Sequence, residues 1–487
     1  DTMPHPALSR TALAAAALAL SMSHAAAAHK PLPSAAERRS TQDDQQSVAV
    51  TIYNEDLALV KEVRSVVLDA GGNRIALRDV SAKMRPETAL LRSLSHPGSL
   101  ELLEQNFDFD LLTPAKLLEK YVGQQVRVAR PGPNGSETFE TAQVLAASEG
   151  VVLKIGDRTE TGVPGRIVFD AVPANLRDRP TLVSQLRSPR AGAQQLELSY
   201  LSGGLSWKAD YVAELSTDDS TLDLNGWVTL ANRSGTAYPN AKLQLVAGDV
   251  NRVHDEMRVR GRADLFKRAA EAPAAAMTQE ALFEYHLYTL GRPTTLADNQ
   301  TKQVALLSAA GVPAKKELLL QGSPHYYSDS VGGIGTRIKV GVFMEFDNRE
   351  NAKLGMPLPK GVVRVYKRDS AGNAQFVGED AIEHTPKNET VRLKLGNAFD
   401  VTADKKQTDF RRRELNLRSY ESAYEIVLRN AKSEAVTVSV REPVPGDWKM
   451  LEETHPHAKL AAGTAQWRIS VPAGGSATLK YRVLTRW

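Results

Sequence analysis

The sequence predicts an all-β protein: multi-domain antiparallel β-sandwiches, a small inserted β-barrel and one or two short helices. Three observations carry this expectation. Apolar and polar residues alternate with a period of two in short runs along most of the chain, the pattern of a strand with one buried face. Clusters of glycine, proline, asparagine and aspartate separate those runs as turns would. The clearest helix start and stop signals bracket one short segment, residues 113–123. Strands therefore outnumber helices heavily.

The N-terminus reads as a secretory signal over residues 1–28. Arg10 supplies a basic region, residues 11–22 (TALAAAALALSM) an apolar run too short to span a bilayer, and Ala25 to Ala28 small cleavage positions. Asp1 and Thr2 precede Met3, which is the expected natural start. Residues 29–46 (HKPLPSAAERRSTQDDQQ) are polar and read as a flexible leader. Residues 47–112 open with a β-meander: Val48, Val50 and Ile52 alternate, a return strand covers 59–68, and Gly71, Gly72 and Asn73 turn the chain into a third strand.

Residues 113–172 read as a short helix followed by the inserted barrel. Thr113 can cap a helix that Pro114 opens and Gly123 stops. Four short strand signals then follow, near 126–128, 138–146, 151–155 and 166–169. Residues 196–487 read as one or two further sandwiches. Within them, 201–250 is the clearest β pattern. Trp207, Ala209, Tyr211, Ala213 and Leu215 share one face of a strand. Trp227 falls on the opposite parity from Leu224 and Val228, so it is expected either in solvent or under a neighbouring domain. Residues 281–290, 299–308, 317–321 and 338–346 read as strands, as do six runs after them. Residues 254–280 carry scattered arginines and an APAAA run and read as a mobile loop or weak helix. Asn232, Asn348 and Asn430 each close a strand, which suggests similar hairpin turns at the ends of related sheets.

Composition narrows function without naming it. The 487 residues suggest roughly three domains. With 61 basic against 57 acidic residues, nothing demands a nucleic-acid partner. The absence of cysteine excludes disulfides, thiolate metal sites, cysteine nucleophiles and a lipid-modified N-terminal cysteine. No later segment has the length and apolarity of a transmembrane helix.

Candidate chemistry is sparse. Neither G-x-S-x-G nor H-E-x-x-H nor a phosphate loop occurs. Gly332, Gly333 and Gly335 precede a strand and lack the helix N-terminus that attracts phosphate. Asn106, Asp108 and Asp110 alternate like a calcium loop, but Leu111 and Leu117 stand where glycine and glutamate are needed. His455 and His457, with Glu452 and Glu453, are the best metal candidates, yet no third ligand is identifiable. Glu379, Asp380, Glu383 and His384 crowd one segment and read as a charged hairpin. No catalytic, cofactor-binding or metal residue is assigned from these patterns.

Several runs carry a resemblance. YLSGGLSWKADYVAEL (200–215), LNGWVTLANRSGTAYPNAKLQLVAGDVN (224–251), RPTTLADNQTKQVALL (292–307), LGMPLPKGVVRVYKRD (354–369), GEDAIEHTP (378–386) and LGNAFDVTADKKQTDF (395–410) occur in this order. Together they resemble the DUF4139 family of bacterial proteins, over roughly residue 200 to the C-terminus. Residues 47–184 resemble the part that often precedes it. The resemblance implies an exported or envelope-associated β-rich protein and transfers no catalytic residue. Some relatives are named mucoidy inhibitors, which hints at envelope polysaccharide.

The expectation is a periplasmic or secreted, non-enzymatic binding or scaffolding component of the bacterial envelope. Its partner would be an envelope protein or polysaccharide, with oligomeric state open. The alternatives are an acidic-site polysaccharide hydrolase, which needs two convergent carboxylates in a cleft, and an outer-membrane β-barrel.

Overall fold

A computed structural model describes residues 36–486 except 54–55, 133–134, 163–164, 174–175, 249–276 and 415–418. The expected signal over 1–28 and most of the loop expected at 254–280 lie outside the described residues. The described chain is built almost wholly of strands, with one α-helix, Pro114–Lys120.

The first half folds into the second rather than preceding it. Gln45–Tyr53 pairs antiparallel with Leu57–Leu68, which pairs with Gly192–Ser202. The other edge of Gln45–Tyr53 pairs in parallel with Tyr238–Ala247, far downstream. These strands form an eight-stranded sheet, and a four-stranded sheet contains Gly71–Arg78 and Thr181–Ser188. Both contribute to one core with Leu205–Leu215 and Thr221–Asn232: Ile52, Leu77, Leu186, Tyr211 and Leu224 all belong to it. The leader expected over 29–46 becomes ordered within its length. Glu37–Ser40 pairs in parallel with Gly71–Arg78, and Thr41 caps a single 3-10 turn through a capping box.

The insertion keeps its own small core of Leu118, Tyr121, Val126, Val144 and Leu153. Thr113 caps the helix as expected, its side chain accepting from the Lys116 N–H at 3.1 Å. The barrel expectation is corrected: the five strands form an open sheet. Arg158–Thr161 occupies one edge and Arg166–Val168 the other, with no pairing between them. Edge strands of three and four residues are too short to close a sheet on itself.

Two long strands join the two larger cores. Gln300–Gln321 pairs first with Thr221–Asn232, then with Gly333–Asp347 and Val436–Pro443. It replaces the two strands expected at 299–308 and 317–321. Gly311, at φ +64°, lies where the register against Thr221–Asn232 shifts, so the strand bends there and continues. Thr390–Glu414 passes similarly from Gly333–Asp347 to Ser419–Asn430. Conversely, residues 281–290 are not one strand. Met277–Leu282 and Tyr285–Leu290 form a hairpin that turns at Phe283, φ +57°.

The three strand-closing asparagines share one device that reaches beyond the expected turn. None adopts a positive φ. All three are buried, and each side-chain amide ties its strand end to two consecutive carbonyls from a distant loop. Asn232 donates to Leu296 and Ala297, Asn348 to Thr385 and Pro386, and Asn430 to Val471 and Pro472. A third carbonyl lies nearer in sequence: Thr236, Met356 and Glu434 respectively, each at 2.8 Å. Two of them also act as turn residues, since Asn232 Oδ1 accepts from the Ser234 N–H and Asn430 Oδ1 from the Lys432 N–H, and all three clamp the sandwich end, because an amide offers two donors and an acceptor at one compact group.

Candidate binding face

The strand Thr221–Asn232 buries Leu222, Leu224, Val228 and Leu230 and turns Asp223, Asn225 and Trp227 outward. The period of two dictates this split. Its neighbour Leu205–Leu215 buries Trp207, Ala209, Tyr211 and Ala213 in the same core. Tyr211 finds a buried partner by donating to the Pro359 carbonyl at 2.8 Å. Trp207 and Tyr211 are therefore packing residues, as their shared parity implied. Trp227 is 41% exposed. Among the described residues its indole N–H meets no acceptor.

The sheet register surrounds Trp227 with polar groups. Asp210 lies opposite it on one side and Ala305 on the other. Asp210 accepts from Thr229 at 3.0 Å and from Arg364 at 3.1 Å, and Lys208 approaches at 3.5 Å. Gln303 donates to Thr229 at 3.2 Å. Arg364 also meets Glu379 at 3.2 Å. Partial burial opposes ionisation of Asp210. The hydrogen bonds from Arg364 and Thr229 and the nearby positive charges outweigh it and hold the carboxyl below its usual range. The result is an open sheet face with one large aromatic side chain inside a fixed polar lattice.

The residues singled out in sequence do not converge. Asp108 pairs with Arg177 and Asp110 with Lys120, at the end of Glu101–Asp108. Gly333 opens a strand. Glu379 turns outward to Arg364, whereas Asp380 accepts from the Lys394 N–H and His384 from the Lys360 N–H. His455 contacts Thr454, and His457 contacts Glu453 at 2.9 Å between the rings of Trp448 and Trp467. Glu453 also accepts from the Trp467 indole. Among the described residues no group of three His, Cys, Asp or Glu side chains could hold a metal ion.

One polar cluster was missed. In the C-terminal core, Lys405 meets Glu442 at 2.6 Å, and Tyr327 donates to the other Glu442 oxygen at 2.9 Å while bonding Tyr481. Burial drives the Tyr327 and Tyr481 hydroxyls well above their usual pKa range. The signal was present: Val401, Ala403, Lys405 and Gln407 share one parity, so the strand that buries the first two must also bury the lysine. With Lys405 and Glu442 only 3% and 0% exposed, the cluster is closed to substrate. A crevice lined by Ile52, Leu205, Leu230, Asn232, Leu296 and Lys302 holds no carboxylate.

A family model described as Domain of unknown function (DUF4139) matches residues 196–487. A comparison with curated proteins found no match. The matched region starts inside Gly192–Ser202, a strand it shares with the N-terminal sheet.

Proposed function

The chain belongs to the DUF4139 family, matched over more than half its length, and we propose that it acts by binding, as an exported component of the bacterial cell envelope. The observation that supports this best is the outward Trp227 set in an open sheet face. Tryptophan is enriched at recognition surfaces, where a few aromatic anchors carry much of the binding energy. Export is supported by the basic and apolar run at residues 10–22 and the alanines after it. The absence of cysteine does not stand against export, because cores of this size can fold without disulfides.

The hydrolase reading has less support. Asp210 and Glu379 converge on Arg364, but on a flat face rather than in a cleft. Hydrolysis of a glycosidic bond needs one carboxyl that keeps its proton near neutral pH, and Asp210, held below its usual range, does not supply that acid. The outer-membrane barrel has less support too, since among the described residues no sheet closes edge to edge. Chemical crosslinking in intact envelope, followed by capture of the tagged chain, tests the binding reading. A reproducible envelope component is expected; its absence, or recovery of the chain only in the cytoplasmic fraction, would contradict it.

A further inference from the structure

We infer that the Trp227 face takes an uncharged polysaccharide chain. This rests on the reading that the face binds, and adds the chemistry of its ligand. Four observations carry it.

The first is shape. The face is an exposed β-sheet surface, and Trp227 stands beside the small Ala305. An indole with a small neighbour offers its π surface to a flat ring.

The second is a further aromatic on the same surface. Tyr366 lies four residues beyond Val362, the parallel partner of Asp210, and packs edge-on against Phe376 at 5.7 Å. From strand rise and strand spacing, Trp227 and Tyr366 stand about 16 Å apart. That separation spans several rings of an extended chain, so the two aromatics mark two ends of one track.

The third is charge. Arg364 is shared between Asp210 and Glu379, and Lys208 also approaches Asp210. The two cations beside Trp227 are matched by two carboxylates. An acidic polymer would find its cations already neutralised, and an uncharged ligand would lose no ion pair on binding.

The fourth is the kind of contact on offer. Protein interface cores are depleted of charged groups around their aromatic anchors, whereas Asp210 stands directly opposite Trp227 with Lys208 and Arg364 drawn to it. The Gln303–Thr229–Asp210–Arg364 chain holds these groups in place. It presents oriented donors and acceptors to hydroxyl groups. Sugar rings combine both needs, with C–H faces for the indole and hydroxyls for the lattice.

The test is a glycan array carrying uncharged and acidic long-chain oligosaccharides, probed with the full chain and with Trp227→Ala and Tyr366→Ala. Thermal melts check that each variant is folded. Signal on uncharged glycans is expected, weakened about tenfold or more by Trp227→Ala and more modestly by Tyr366→Ala. Signal confined to acidic glycans, or no signal, overturns the inference. So does uncharged-glycan signal that a folded Trp227→Ala retains. If the array is silent but Trp227-dependent crosslinking captures an envelope protein, the glycan inference fails and the binding reading stands. If both are silent, both fail.

Discussion

Lys405 and Glu442 form an ion pair of 2.6 Å inside the C-terminal core, with Tyr327 donating to the second carboxylate oxygen. Gly322 packs directly on this carboxylate: a Cβ there would come 2.1 Å from Glu442 Oε2. The pair joins Thr390–Glu414 to Val436–Pro443, strands that do not pair with each other in the sheet.

Removing one partner strands the other charge in an apolar site. Lys405→Met or Glu442→Leu is expected to cost about 3–5 kcal/mol. The double variant is expected to recover most of that, since a well-packed apolar pair can replace a buried ion pair. Gly322→Ala should destabilise by displacing Glu442. Urea unfolding of the four variants checks this. Additive losses in the double variant would count against the pair as the source.

The asparagine clamps give a sharper contrast. Asn348 is fully buried, and its amide serves carbonyls on two separate segments. Asn348→Ala leaves buried acceptors unpaired, at about 1–3 kcal/mol for each group. Asn348→Asp is expected to cost at least as much, because it removes both donors and faces a negative charge toward carbonyl oxygens. A turn asparagine would tolerate aspartate or glycine. Thermal unfolding of Asn348→Ala, →Asp and →Gly separates the two roles.

Glu317 links three strands through Arg392 and Arg441, each at 2.8 Å. Burial opposes its charge, but the hydrogen bonds from Ser439 and Arg392 and the charges of Arg441 and Arg392 prevail and lower its pKa below 4.5. The unfolded chain therefore takes up this proton first as pH falls. The stabilisation is present in full above about pH 4.5 and is lost on descent through the lower, folded-state pKa. Glu317→Gln should reduce stability at neutral pH and flatten the loss below that point. Parallel acid-unfolding curves for the two proteins would refute this.

The insertion should be removable. Its ends enter side by side: Leu112 N–H donates to the Arg177 carbonyl, and Arg177 N–H to that of Asp110. Its core is separate from the other two. Replacing 113–172 with a short turn is expected to leave a folded, cooperative remainder. Loss of the near-UV signal of the remaining chain would show that the insertion supports the main body.

Much of the fold was legible in the sequence, and the failures share one cause. Alternation identified the cores of Thr221–Asn232 and Gly333–Asp347, the latter only over 338–346, and placed Trp207 inside, because the pleat alone decides which face a residue takes. It also gave Trp227 its outward parity. It could not say that Gln45–Tyr53 pairs with Tyr238–Ala247, since register between distant strands leaves no local trace. The single strand Gln300–Gln321 was read as two, because a bulge within a long strand interrupts the local alternation. Asn232, Asn348 and Asn430 were visible as a recurring pattern. Their reason was not, because the carbonyls they hold come from segments far along the chain. The polar lattice around Trp227 was hidden likewise: Asp210 and Arg364 meet only through the parallel pairing of their strands.

On the proposed function, the Trp227 face is the part of this chain that meets its envelope partner. A photoreactive side chain at position 225, two residues from Trp227 on the same face, tests it in intact envelope. A control probe stands at position 449, on the C-terminal sandwich. An adduct, discrete or polydisperse, is expected from 225 alone, and it should be lost when Trp227→Ala is added to a chain that still folds. Equal labelling from both positions, or an adduct that survives Trp227→Ala, would contradict it.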